Sequence, residues 1–233
     1  METKPTAQEG EANMKLKFLS VTIVVLAEDH NPSILHPSFL KAQGIVPADW
    51  KLAAAEPVIC TPPFSMVKFD NDMVFTVENK KLQVIDNRPE NKPGQSMAPK
   101  LLAKYMETLP HVHYKAIGIN FSGLVECAKP ESFIMERFLT RGDWNSENRK
   151  PQELGLTLKY GAPDGQLWFT INSGSAQGPT HNVIRTGILA TGNYHSDLPQ
   201  DKALVVATRL LAGFPAKAID FAQTAKTILG LEE

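Results

Sequence analysis

Histidine, with six copies, and cysteine, with two, are the residues of this 233-residue chain best suited to metal or proton-transfer chemistry. His111-Val112-His113 would set two imidazoles on one side of a strand, because side chains alternate, and such a pair can hold a metal. No third ligand accompanies it in the sequence, so no metal site and no cofactor are expected. His30 follows Glu28 and Asp29, and His195 precedes Asp197, the company a general base requires. Neighbours along a strand point apart, however, and His30, His36, His181 and His195 all read as residues at strand or loop ends. Cys60 and Cys127 are far apart and in no C-x-x-C arrangement, which predicts free thiols packed as small hydrophobes.

Asp49-Trp50 and Asp143-Trp144 are the more informative pair, because 94 positions separate them and the same interval recurs elsewhere. Two readings follow. The indoles of Trp50 and Trp144 line a groove whose polarity Asp49 and Asp143 set, or each acid caps a turn while each indole plugs the end of its half of the core. Gly174-Ser175-Ala176-Gln177-Gly178 reads as a flexible hairpin connection and a second candidate contact, through Gly174 and Ser175. It has neither the glycine spacing of a dinucleotide fingerprint nor the lysine of a phosphate loop. No nucleophile elbow and no H-E-x-x-H helix occur either.

Those residues must be positioned by elements that the sequence writes twice. Val67-Lys68-Phe69, a turn, and Met73-Val74-Phe75-Thr76-Val77 correspond to Leu158-Lys159-Tyr160, a longer turn, and Leu167-Trp168-Phe169-Thr170-Ile171. Strands are expected at 18–26, 64–70, 73–79 and 82–86, then at 114–125, 153–160, 166–173 and 181–192. Short helical patterns follow the first strand of each half, and helices close the halves at about 99–109 and 196–211. Residues 53–63 read as turns. A last helix, about 216–229, has no counterpart in the first half and is expected to cover a sheet edge or to mediate self-association.

The predicted class is α+β. A βαβββα unit occurs in tandem, at 14–110 and 111–214, after a disordered leader at 1–13 and before a C-terminal helix at 215–233. Fused edge to edge, the units would make one curved antiparallel sheet with helices on one face. This order resembles the saddle of TATA-binding-protein-like folds. It is less closely similar to the duplicated modules of bacterial effector-binding domains. The resemblance covers nearly the whole chain, rests on no family-specific motif, and implies a binding surface without naming its ligand.

Composition narrows the partners. A formal charge of −1 and a pI near 6.6 disfavour nucleic acid as the dedicated partner. No run of apolar residues is long enough for a membrane span. Residues 14–27, read from Met14, have the form of a signal peptide, which makes a secreted protein the minority alternative. The same residues contain the first strand of the first repeat, so a cytoplasmic protein is expected. The leading expectation is a non-catalytic binding or adaptor protein that engages a protein or a small molecule by its sheet surface and loop rim. The alternative is an enzyme of the hydrolase or RNA-endonuclease class with a scattered site using His30, His36 or His113.

Overall fold

The computed structural model describes residues 14–55, 57–89, 92–140, 142–146, 150–177 and 184–231. The expected leader at 1–13 lies outside them. The protein is α+β, and its described residues build a single antiparallel sheet of nine strands. In chain order these are β1 (Leu16–Ala27), β2 (Val58–Cys60), β3 (Phe64–Lys68), β4 (Met73–Glu78), β5 (Lys81–Asp86), β6 (Tyr114–Glu126), β7 (Gly155–Ala162), β8 (Gly165–Gln177) and β9 (Ile184–Asp197). The spatial order is β2-β3-β4-β5-β1-β6-β9-β8-β7, so β1 and β6 meet in the middle and each begins a flank.

Strict alternation sorts the side chains. Val21, Ile23 and Val25 of β1 point to one face with Ile117, Ile119 and Phe121 of β6, and all are buried. Phe75, Val77, Leu82 and Val84 continue that face on one flank, and Leu167, Phe169, Ile171, Ile188 and Ala190 continue it on the other. The helices α1 (Pro37–Ala42), α2 (Ala98–Thr108), α3 (Pro130–Phe138), α4 (Ala203–Ala212) and α5 (Phe214–Leu229) all pack into this one apolar layer. Burying an apolar face against amphipathic helices is what makes a lone sheet stable.

Several expectations need correction. The segment 53–63 contains the short edge strand β2. Gly174 to Gln177 is not a loop, because β8 runs through it with Gly174 opposite Gly187 and Ser175 opposite Thr186. A side chain at Gly187 would collide with the carbonyl oxygen of Val125, so glycine there permits close approach of β6 and β9. β9 likewise runs on to Asp197, and the following helix begins only at Ala203. Tyr194 and Ser196 face inward there, buried, while Asn193, His195 and Asp197 face outward. That polar outward face is what made the segment read as a strand end.

The last helix covers no edge. Phe221 of α5 is fully buried, with its ring stacked on Phe121 at 5.5 Å and tilted on Phe169 at 5.7 Å, so α5 lies over the middle of the sheet. Tyr194 of β9 donates its hydroxyl to Asp220 of α5 at 2.6 Å, fixing the helix from the polar side. Among the described residues no helix is long and apolar enough to cross a membrane.

Candidate functional site

With the helices of the described residues on one side, the opposite face of the sheet presents its own alternate residues. They form rows, because residues opposite one another on neighbouring antiparallel strands share a face. One row is all hydroxyl: Thr157 on β7 stands opposite Thr170 on β8, Thr170 opposite Thr191 on β9, Thr191 opposite Ser122 on β6, and Ser122 opposite Ser20 on β1. The adjacent row reads Lys159, Trp168, Asn193, Asn120 and Thr22 over the same strands. Between the rows lies a shallow open depression lined by Trp168, Thr170, Thr191, Asn193, Asn120 and Ser122, among others, and none of its lining side chains is charged.

Trp168 is 45 % exposed, unusual for an indole in the middle of a strand. The ammonium of Lys159, on β7, lies 4.7 Å from its ring centroid. The depression lies on the other side of β8, towards β9. Asn120 donates its amide to the carbonyl oxygen of Thr22 at 3.1 Å, and the hydroxyls of Thr157 and Thr170 are 3.0 Å apart. Among the described residues, Ser20, Ser122, Thr191 and Asn193 of this lining have no side-chain hydrogen-bond partner, so their donors and acceptors are left open. Gly118 helps, because its missing side chain would have filled the space 3.6 Å from both the Asn120 and Asn193 amides.

Ion pairs frame the seam between β1 and β6. Lys17 near the start of β1 meets Glu126 at the end of β6 at 2.7 Å, with Arg185 on the same carboxylate. Lys115 near the start of β6 meets Glu28, just past β1, at 2.9 Å, and His113 lies 3.5 Å from that carboxylate. The hydrogen bond from Lys115 holds Glu28 below the usual carboxylate range, as those from Lys17 and then Arg185 hold Glu126. These charges satisfy one another at the two ends and leave the centre neutral.

The residues singled out from the sequence are not brought together. Trp50 is half-buried and packs edge-on against Phe69, with centroids 5.1 Å apart. It also lines a second depression with Asp86, Arg88, Lys92 and Met97. There the buried carboxylate of Asp86 accepts from the Ser96 hydroxyl at 2.6 Å and from the Arg88 backbone at 2.9 Å, and so braces the turn before α2. Trp144 is exposed beyond α3, with its indole N–H donated to the Thr140 carbonyl at 3.2 Å. Asp49 and Asp143 are exposed. Gly174 and Ser175 lie far along β8, where the Ser175 hydroxyl is 3.2 Å from that of Thr186.

The histidines are equally dispersed. His30 is buried, 3.4 Å from the Val25 carbonyl, and burial pushes its pKa down. His36 caps α1 by accepting from the Ser38 N–H at 3.2 Å. His111 and His113 are exposed, His195 lies 3.4 Å from Asp197 on the open face, and His181 falls outside the described residues. No group of three metal-ligating side chains occurs among the described residues.

Sequence reasoning missed Trp168, Thr191 and Asn193. One signal was available: in Leu167-Trp168-Phe169-Thr170-Ile171-Asn172, the apolar Leu, Phe and Ile alternate with Trp, Thr and Asn, so the indole sits with the polar set. Compared with known proteins, the chain matches no family model and no curated sequence.

Proposed function

We propose that this is a non-catalytic binding protein that uses the helix-free face of its sheet, centred on Trp168, Asn193 and Thr191, with the loops around Trp50 as a rim. The observation that carries the reading is the exposed Trp168 indole, with Lys159 on one side and, on the other, an uncharged depression in which the hydroxyls of Ser20, Ser122 and Thr191 and the amide of Asn193 are unpaired. An exposed aromatic ringed by a few convergent polar groups is the usual composition of a recognition surface. The non-catalytic part rests on the histidines: His30 is enclosed, His36 caps a helix, and His113 is engaged by Glu28.

The face is read as the joint product of a tandem duplication. Supporting this, Phe75 stands opposite Val84, and Val84 opposite Ile23, as Phe169 stands opposite Gly192, and Gly192 opposite Phe121. Val67 opposite Phe75 matches Leu158 opposite Phe169, the same correspondence the sequence offers. The reciprocal pairs Lys17–Glu126 and Lys115–Glu28 fit a twofold axis through the Thr22–Asn120 pair. A saddle-like curvature belongs to the same reading. A cytoplasmic location does too, since cleavage after Ala27 would remove β1, on which both β5 and β6 pair.

The test is differential capture. The immobilised chain and its Trp168→Ala/Asn193→Ala variant are exposed to native extract, and retained proteins and small molecules are identified. A species held by the first and lost by the second supports the reading. Identical retention by both excludes the open face.

A further inference from the structure

Resting on that assignment of the open face, the geometry points to its ligand class: an uncharged, hydroxyl-rich chain molecule, a neutral oligosaccharide, lying across β1, β6, β9, β8 and β7. The first argument is charge. The depression is lined without a single ionic side chain, and the acids and bases at the ends of the β1–β6 seam are paired with one another. A polyanion such as RNA would find no row of cations to replace its counterions, and these supply most of its non-specific affinity.

The second argument is hydrogen-bonding type. Serine and threonine hydroxyls donate and accept, and the asparagine amide does both from separate atoms. Thr191, Ser122, Ser20 and Asn193 therefore suit a partner whose own groups donate and accept interchangeably, as sugar hydroxyls do. A protein partner would be anchored by clustered apolar side chains. On this flank the exposed apolar group of the open face is the indole of Trp168, Leu124 opposite Leu189 being sunk beside it, while Val24 on β1 and Ile85, Val74 and Met66 on β5, β4 and β3 lie towards the other flank.

The third argument is shape and length. Neighbouring strands are about 4.8 Å apart, so the hydroxyl row from Thr157 to Ser20 extends roughly 19 Å. The parallel row containing Trp168 lies two residues along, about 7 Å away. A strip of that length fits an extended run of sugar rings better than a single one. The indole, 45 % exposed, supplies a flat apolar surface for the C–H face of one ring.

The full chain is titrated calorimetrically with neutral hexasaccharides of glucose, mannose, galactose and N-acetylglucosamine. A heparin hexasaccharide and a six-nucleotide RNA form the charged arms. The expected result is saturable binding of at least one neutral sugar, insensitive to salt. Trp168→Ala or Thr191→Val weakens it about tenfold or more, and Ile219→Ala, on the exposed side of α5, leaves it unchanged. Thermal unfolding of each variant confirms that the fold persists. Failure of every neutral sugar to bind overturns the inference. So does binding of the RNA or heparin alone, and if Trp168→Ala abolishes that binding the open face survives with a different ligand. A neutral sugar whose affinity ignores both Trp168→Ala and Thr191→Val overturns the face itself.

Discussion

Asn120 donates its side-chain amide to the carbonyl oxygen of Thr22, 3.1 Å away, across the seam where β1 and β6 join the two flanks of the sheet. The two residues stand directly opposite each other in register. The bond therefore sits at the centre of the sheet and at the border of the neutral depression. Its structural worth is measured by substitution.

Asn120→Ala removes that half-buried bond and should destabilise the protein by about 0.5–1.5 kcal/mol, the net worth of one such hydrogen bond. Urea unfolding of the variant measures this. A larger loss would mean that Asn120 organises the seam beyond this contact.

Phe221 is the keystone of the helix-side layer, in contact with Phe18, Phe121 and Phe169. Phe221→Ala should cost about 3–5 kcal/mol, as truncation of a fully buried aromatic does. Gly192→Ala probes the same spot from the strand, because a new Cβ would stand 2.6 Å from the Phe221 ring. It should destabilise the wild type clearly and the Phe221→Ala variant much less. Equal costs in the two backgrounds would show that the ring is not the obstacle.

His30 gives the protein a pH dependence of known sign. Burial lowers its folded pKa below the ordinary value of 6.5, so the unfolded chain takes up the proton first. Its contribution to stability is complete above the unfolded pKa and is lost as pH falls through the interval down to the folded value. Denaturant midpoints should therefore decline on acidification below about pH 6.5. His30→Gln should flatten that part of the curve, leaving any decline at lower pH to carboxylates such as Glu28 and Glu126. An unchanged slope in the variant would contradict the assignment.

Trp168 and Trp50 should respond oppositely to truncation. Trp168→Ala removes an exposed indole and should leave stability within about 0.5 kcal/mol while sugar binding weakens about tenfold or more. Trp50→Ala removes the partner of buried Phe69 and should lower stability measurably. Thermal melts of the two variants side by side give the comparison.

The architecture was legible where it depended on local alternation. Phe75-Thr76-Val77 and Phe169-Thr170-Ile171 each place two apolar residues inward, and their strands lie where the pattern puts them. Composition misled where tertiary pairing overrode it: Gly174 and Ser175 look like a loop and are held in β8 by Gly187 and Thr186. The candidate site was hidden for a different reason. Thr157, Thr170, Thr191, Ser122 and Ser20 become a row only through registers between strands distant in the chain, and no local pattern encodes those. The matched Asp49-Trp50 and Asp143-Trp144 pairs suggested one shared groove, yet Trp50 packs on Phe69 while Trp144 stands exposed.

The chain has three tryptophans, and each reports on a different surface: Trp168 on the open face, Trp50 on the second depression, Trp144 beyond α3. The indole N–H resonances of ¹⁵N-labelled protein, followed while the neutral hexasaccharides and then fractionated native extract are added, test the central claim most directly. The open-face account predicts that the Trp168 resonance shifts, with those of Trp50 and Trp144 moving little. A bound ligand that shifts Trp50 or Trp144 and leaves Trp168 in place would contradict it.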